Sequence, residues 1–208
     1  MSRDSSIKYL SQLKDSMFKI SKSVHDYDDI NQLYKVIHES IVDLVHSDNF
    51  YISIYHKESN TISFPYYIDL VDSVPMESIN MGEGLTSLII NTSKPLLINK
   101  KEYQELISSN KNIKQGTAPE SWLGVPLISH GNESIGALVI QSYNKNIIFN
   151  NNDMEILTFV SRLISPFSTA SNATYNVIIL VNDAGCNLWS AFSACKTLPS
   201  RASITIAA

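Results

Sequence analysis

The side chains best placed to do chemistry in this chain are aromatic rather than ionisable. Tyr66 and Tyr67 close the run Thr61–Tyr67 (TISFPYY), and Trp122 stands near the start of SWLGVPL. Aromatic rings combine a large apolar contact area with a polar tip, which suits the wall of a small-molecule pocket. Ordinary core packing is the commoner role of such residues and accounts for them too. Gly84, Leu85 and Thr86 follow Gly82 in MGEGLT. A helix that begins there presents backbone N–H groups and the positive end of its dipole, an arrangement that holds an anionic ligand group or merely needs a cap. Tyr66, Tyr67, Gly84, Leu85, Thr86 and Trp122 are therefore the candidate ligand-binding set, and none is given a catalytic role.

Other chemistries find little support. The two cysteines, Cys186 and Cys195, lie late in the chain, so the first 185 residues offer no thiol for nucleophilic, redox or metal-binding work. Of His25, His38, His46, His56 and His130, only His38 and His46 share a predicted helix. Their separation of eight residues is too long for a metal pair one helical turn apart. No metal and no cofactor are expected. The chain has no GxSxG elbow, no GxxxxGK[ST] phosphate loop and no HExxH. Paired carboxylates such as Asp28–Asp29 and Glu102–Glu105 fall at predicted helix starts or on polar faces, where capping and solvation explain them. An enzyme is thus the weaker class. A net charge of −4 and a pI near 5.7 argue against nucleic acid. The polar start MSRDSSIKYLSQLKDS has no signal-peptide core, and no apolar run is long enough to span a bilayer, so no membrane insertion and a cytoplasmic location are expected.

Strands and helices must hold the candidate residues in place. From Ser5 to about His25, Leu10, Leu13, Met17, Ile20 and Val24 recur at alternating spacings of three and four, one helical seam that packs on its own core or on a second copy. A second helix is predicted from a cap at Asp28 or Asp29 through Ile30, Leu33, Ile37, Ile41 and Leu44, ending near His46–Asp48. Phe50–His56 and Thr61–Tyr67 read as a hairpin joined by KESN. Met81–Ile98 reads as a glycine-led helix followed by a short strand beginning at Pro95, and Glu102–Ser109 as a short helix. Glu120–Tyr143 is a second hairpin. It carries Pro126, which cannot donate to a ladder, and Gly124 and Gly136, which mark the close approach of other groups. Asn150–Asp153 caps a last helix bearing Ile156, Leu157, Val160, Leu163 and Ile164, which Pro166 stops or kinks.

In that order, residues Asp28–Ser165 resemble a GAF domain, a small-molecule sensor module of bacterial histidine kinases, diguanylate cyclases and cyclic-nucleotide phosphodiesterases. MGEGLTSLIINTSKPLLI, SWLGVPL and ESIGALVIQSYNK carry the likeness, with SFPYYID beside them. The resemblance implies an α+β fold: a central antiparallel sheet of about six strands, with the N- and C-terminal helices on one face and a ligand pocket on the other. It makes the Glu120–Tyr143 hairpin the central pair of strands. Of the NKFDE set of nucleotide-binding members, Asn144, Lys145 and Asp153 match, whereas Asn152 stands in place of the phenylalanine and Met154 in place of the glutamate. A Lys145–Asp153 ion pair would tie the hairpin to the last helix, but the broken set counts against cyclic nucleotides. The missing thiols count against a covalently held bilin and against free methionine sulfoxide reductase activity.

The implied function is sensory and regulatory, within a bacterial signalling protein of the two-component kind. An unidentified small molecule would bind, and the terminal helices, commonly a homodimer interface in this family, would transmit its presence. A ligand-free dimerisation or scaffold domain is the alternative. Three parts are expected: a signalling or dimerisation helix over 1–27, a GAF domain over 28–167 and an atypical tail over 168–208. The tail holds eight Ala, one Asp and no Glu, against two Ala and 19 acidic residues before it. It is expected to be foreign to the domain or poorly ordered. No kinase, cyclase or phosphodiesterase segment follows Phe167, so the effector is expected to be absent from this chain.

Overall fold

The structure is a computed structural model that describes residues 3–26, 30–47, 49–72, 78–82, 84–109, 117–129 and 131–165, with 179–180 and 206–207. In chain order the first unit, Met1–Thr169, contains α1 (Arg3–Asp26), α2 (Ile30–Val45), β1 (Asn49–His56), β2 (Thr61–Ile68), β3 (Ile79–Asn80), α3 (Leu85–Thr92), β4 (Leu96–Asn99), α4 (Lys100–Ser109), β5 (Ser121–Ile128), β6 (Ser134–Ser142) and α5 (Asn151–Ile164). The strands form one antiparallel sheet in the order β3-β2-β1-β6-β5-β4. Six strands and an α+β architecture agree with the expectation. The hairpin β5–β6 is not the central pair, however. β1 and β6 hold the middle through an unbroken register from Asn49↔Gln141 to Ile54↔Gly136, and β5 lies one place further out. In the second unit, Ala170–Ala208, β7 (Ile179–Leu180) pairs in parallel with β8 (Ile206–Ala207). The rest of the expected tail lies outside the described residues.

Side chains alternate across each strand, and both faces of the central strands are covered. On one face Phe50, Ile52, Leu123, Leu138 and Ile140 are buried, and Phe50 stacks on His38 of α2 with ring centroids 5.0 Å apart. Helices α1, α2 and α5 pack with one another, and α5 lies against β5 and β6. The α1 seam is used within the chain: Leu13, Met17 and Ile20 are buried, whereas the side chains of Leu10 and Val24 lie outside the described residues. In α2, Leu33, Ile37, Ile41 and Leu44 are buried as their spacing requires, but Ile30 at the helix start is exposed. The cap expected at Asp28 or Asp29 and the stop at Pro166 lie outside the described residues. Each isoleucine or leucine fully buried in this layer contributes about 1.5–3 kcal/mol by leaving water.

The prolines and glycines of the strands have local causes. Pro65 sits where the β1–β2 register shifts between Ile52 and Ile54, a bulge that tolerates a missing donor. Pro126 pairs with Ala137, whose N–H and C=O both turn to Ser53 Oγ of β1 at 3.1 and 3.2 Å. The nitrogen of Pro126 therefore points away from β6, past the end of β4, where the ladder asks nothing of it. A Cβ on Gly136 would overlap the carbonyl oxygen of Ser53. A Cβ on Gly124 would strike Ile89 of α3 and the indole of Trp122. Both glycines mark close approach, as the hairpin sequence suggests.

Helix ends are capped by the residues their sequences offer. Asn150 Oδ1 accepts from Asn152 N–H at 2.8 Å while Asp153 Oδ2 accepts from Asn150 N–H at 2.8 Å, closing a capping box on α5. Asn99 and Glu102 do the same for α4. α3 ends at Ser93 in the left-handed conformation, two residues before Pro95.

Candidate functional site

Turning from Phe50 to its neighbour Tyr51 crosses the sheet. On this second face Tyr51, Trp122, Ala137 and Val139 pack against Leu85 and Ile89 of α3 and Tyr103 of α4. The packing leaves a cavity of about 160 Å³. Tyr51, Phe64, Tyr67, Trp122 and Gln141 line it from the sheet, Gly84, Leu85 and Thr86 from the start of α3, Tyr103 from α4, and Asp72, Thr117 and Pro119 from the connecting segments. Tyr51 and Tyr67 stack at 5.3 Å, and Phe64 meets both edge-on at 5.6 and 5.9 Å. Tyr51 OH lies 3.1 Å from Thr86 Oγ1, joining sheet to roof. Gly84 is extended and caps α3 without a side-chain bond; the order of its turn comes instead from Gly82 N–H donating to Ser87 Oγ at 2.9 Å.

Beside the aromatic wall lies an acidic network. Tyr143 OH donates to Asp69 Oδ2 at 3.1 Å and reaches Asp72 Oδ2 at 3.2 Å. Gln141 Nε2 also donates to Asp69, and Thr117 donates its hydroxyl to Asp72 at 2.7 Å and its N–H at 3.2 Å. The N–H groups of Val71 and Asp72 turn back to Asp69 Oδ1. Burial pushes the Tyr51 hydroxyl well above the usual phenol range. Tyr67 is pushed up to about 12, first by burial and then by the charges of Asp69 and Asp72. Tyr143 is raised further still by the same causes, burial first. Phenols held neutral in this way act as hydrogen-bond donors and apolar walls, not as bases.

A six-stranded antiparallel sheet with three helices on one face and a roofed cavity on the other narrows the family, and sequence decides it: the family model described as GAF domain matches residues 28–166. The chain belongs to the GAF domain family. Comparison with curated proteins finds no match. Among solved structures it is similar to the GAF domain of an Acinetobacter phosphoenolpyruvate-protein phosphotransferase, at 17% identity and a TM-score of 0.61 over 79% of this chain and 92% of that one. The corresponding GAF domain from Coxiella burnetii gives 18% and 0.60 over 78% and 94%. Free methionine-R-sulfoxide reductase from Neisseria meningitidis, in complex with its substrate, gives 15% and 0.57 over 79% and 90%. At such identities the likeness is one of fold. GAF domains are typically sensory or regulatory parts of signalling proteins, although some proteins of this fold are enzymes.

Within this GAF domain five of the six candidate residues, Tyr67, Gly84, Leu85, Thr86 and Trp122, line one cavity. Tyr66 does not. Its ring packs against Tyr34, His38 and Phe50, and its hydroxyl lies 3.0 Å from His38 Nδ1, on the helix-covered face. Consecutive strand residues point to opposite faces, so Tyr66 and Tyr67 cannot wall the same pocket. Tyr51, Phe64, Tyr103, Asp72, Thr117 and Gln141 were not among the candidates. Alternation within FYISIYH, once set by Phe50 facing the helices, places Tyr51 with Tyr67; nothing local marks Asp72 or Thr117. Among the described residues no ion pair joins Lys145 to Asp153; the Asp153 carboxylate accepts from Asn150 N–H in the α5 cap. Burial raises the Asp153 pKa, while the Asn150 N–H and His46 pull it back. No group of three or more His, Cys, Asp or Glu side chains among the described residues could hold a metal ion. No described helix is long and apolar enough to cross a membrane.

Proposed function

We propose that this GAF domain is a sensory module of a bacterial signalling protein, working in the cytoplasm, in which a small molecule occupies the cavity between β1, β2, β5 and the roof formed by α3 and α4. The observation that carries this reading is the cavity itself: separate segments, spread from Tyr51 to Gln141, converge on it with aromatic walls and a few placed polar groups. Its volume of about 160 Å³ is close to that of an engineered protein cavity that takes up benzene, which suits a small ligand. Output runs to α1 and α5 on the opposite face, as a homodimer through those helices, and on to an effector. The domain is not an enzyme in this reading. The matched residues contain no cysteine, which removes thiol chemistry, and the tyrosines of the cavity are held neutral.

Thermal unfolding against a panel of small metabolites and nucleotides tests the proposal. A saturable rise in midpoint that weakens in Tyr67→Leu and persists in Tyr66→Phe supports it. A panel without effect, with dimers intact, favours a scaffold whose own rings fill the site.

A further inference from the structure

The charge around the cavity identifies the class of molecule it takes, on the premise that the cavity is the sensory site. Among the described lining residues Asp72 is the one charged group, and Asp69 lies behind it, bridged through the hydroxyl of Tyr143. Every described donor to these two carboxylates is neutral: Tyr143, Thr117, Gln141 and the backbone N–H groups of Val71 and Asp72. Neither carboxylate forms an ion pair among the described residues. Two negative charges therefore stand at the cavity without a cation among the described residues.

Five aromatic residues, Tyr51, Phe64, Tyr67, Tyr103 and Trp122, line the same space. Ring faces are electron-rich and attract cations, and the attraction grows as water is excluded. The start of α3 opposes this with the positive end of its dipole, equivalent to about half a unit charge. Against two full carboxylate charges that half unit loses. We propose that the cavity binds a small organic ammonium ion, its charge facing Asp72 and its alkyl groups against the aromatic rings.

Choline tests this against 3,3-dimethylbutan-1-ol, its neutral isostere, with acetate as the anion, on the full chain by thermal midpoint and calorimetry. Choline is expected to bind saturably and about tenfold or more tightly than the neutral alcohol, the factor a desolvated cation–aromatic contact supplies. Asp72→Asn is expected to weaken choline by a similar factor and leave the alcohol unchanged, while Glu133→Gln, at an exposed turn, changes neither. Equal binding of choline and the alcohol, or preferential binding of acetate, overturns the proposal, and needs no variant to fold. If choline fails but another molecule raises the midpoint through Tyr67, the ammonium assignment falls and the sensory reading stands. If nothing in the wider panel binds, both fall.

Discussion

The joint between the cavity and the sheet is Gly124, and replacing it with alanine is the sharpest test of how α3 packs on β5. A Cβ there would overlap Ile89 Cδ1 and lie 2.7 Å from Trp122 Cη2 and 3.0 Å from Trp122 Cζ3. Ile89 is fully buried and Trp122 nearly so, hence neither retreats into solvent. Overpacking of this kind costs about 1–3 kcal/mol. For a domain of this size that lowers the thermal midpoint by about 4 °C per kcal/mol. Ile89→Val deletes the clashing Cδ1 at a cost of about 0.5–1.5 kcal/mol when made alone. In the double variant the two changes compensate, so the combined loss is smaller than their sum by about 1 kcal/mol. Gly136→Ala meets backbone instead, the Ser53 carbonyl and Ile54 Cα at 3.2 Å, and loses more than about 3 kcal/mol. Gly131→Ala, whose Cβ has nothing nearer than Ser129 Oγ at 3.8 Å, stays level or gains up to about 1 kcal/mol. Urea unfolding followed by circular dichroism measures all of these. Strict additivity of Gly124→Ala with Ile89→Val, or a Gly124→Ala protein as stable as the parent, would falsify the tight α3–β5 contact.

Two further outcomes follow from the cap and the buried phenols. Asn150→Ala removes the side-chain acceptor of the α5 capping box and lowers stability by about 1 kcal/mol, whereas Asn150→Asp keeps the acceptor and most of the stability; urea midpoints compare them. The phenols of Tyr51, Tyr67 and Tyr143 are all raised in the folded state from the ordinary value of 10.0. Above that value the unfolded chain loses protons that the folded chain keeps, so stability is fully present below pH 10 and falls as pH rises through the folded value of Tyr67, about 12. Urea midpoints across that range, read together with tyrosinate absorbance, check the sign; stability that is constant or increasing there contradicts it.

Much of the sheet and its helices is legible in periodicity, because burial imposes it. The α2 stripe, the β1–β2 and β5–β6 hairpins and the α5 cap each follow from apolar spacing or a short polar signal. β3 was not legible: Ile79–Asn80 is too short to alternate, and only its pairing with Thr61 and Ile62 makes it a strand. Strand order was partly hidden as well. Sequence adjacency suggests that a hairpin owns the middle of a sheet, but β4 adds outside β5 and β1 adds against β6, across more than 80 residues of chain. The site divides along the same line. Gly84, Leu85 and Thr86 announce themselves as a helix start, and Tyr67 and Trp122 as aromatics on strands. Tyr66 was indistinguishable from Tyr67 until the face of β2 was known. Asp72 and Thr117 meet across 45 residues from irregular segments, and no local pattern encodes that contact.

The alternation that separates Tyr66 from Tyr67 also shows how the proposed signal would cross the sheet. Tyr51 and Tyr67 touch the cavity, and their chain neighbours Phe50 and Tyr66 touch His38 of α2. A shift of either backbone moves one ring in each layer, and a close-packed interior leaves little room to absorb the motion locally. Taking the helices from one part in ten active to nine in ten requires a ligand that prefers the active state about 80-fold, or about 2.6 kcal/mol. One aromatic pair contributes about 0.5–1.5 kcal/mol beyond its buried area. A single ring contact differing between states is therefore too little, and at least two must change together. Tyr51 and Tyr67, stacked on adjacent strands and paired in register, form such a couple. Their joint replacement by leucine would uncouple the helices from the ligand more than the two single changes added.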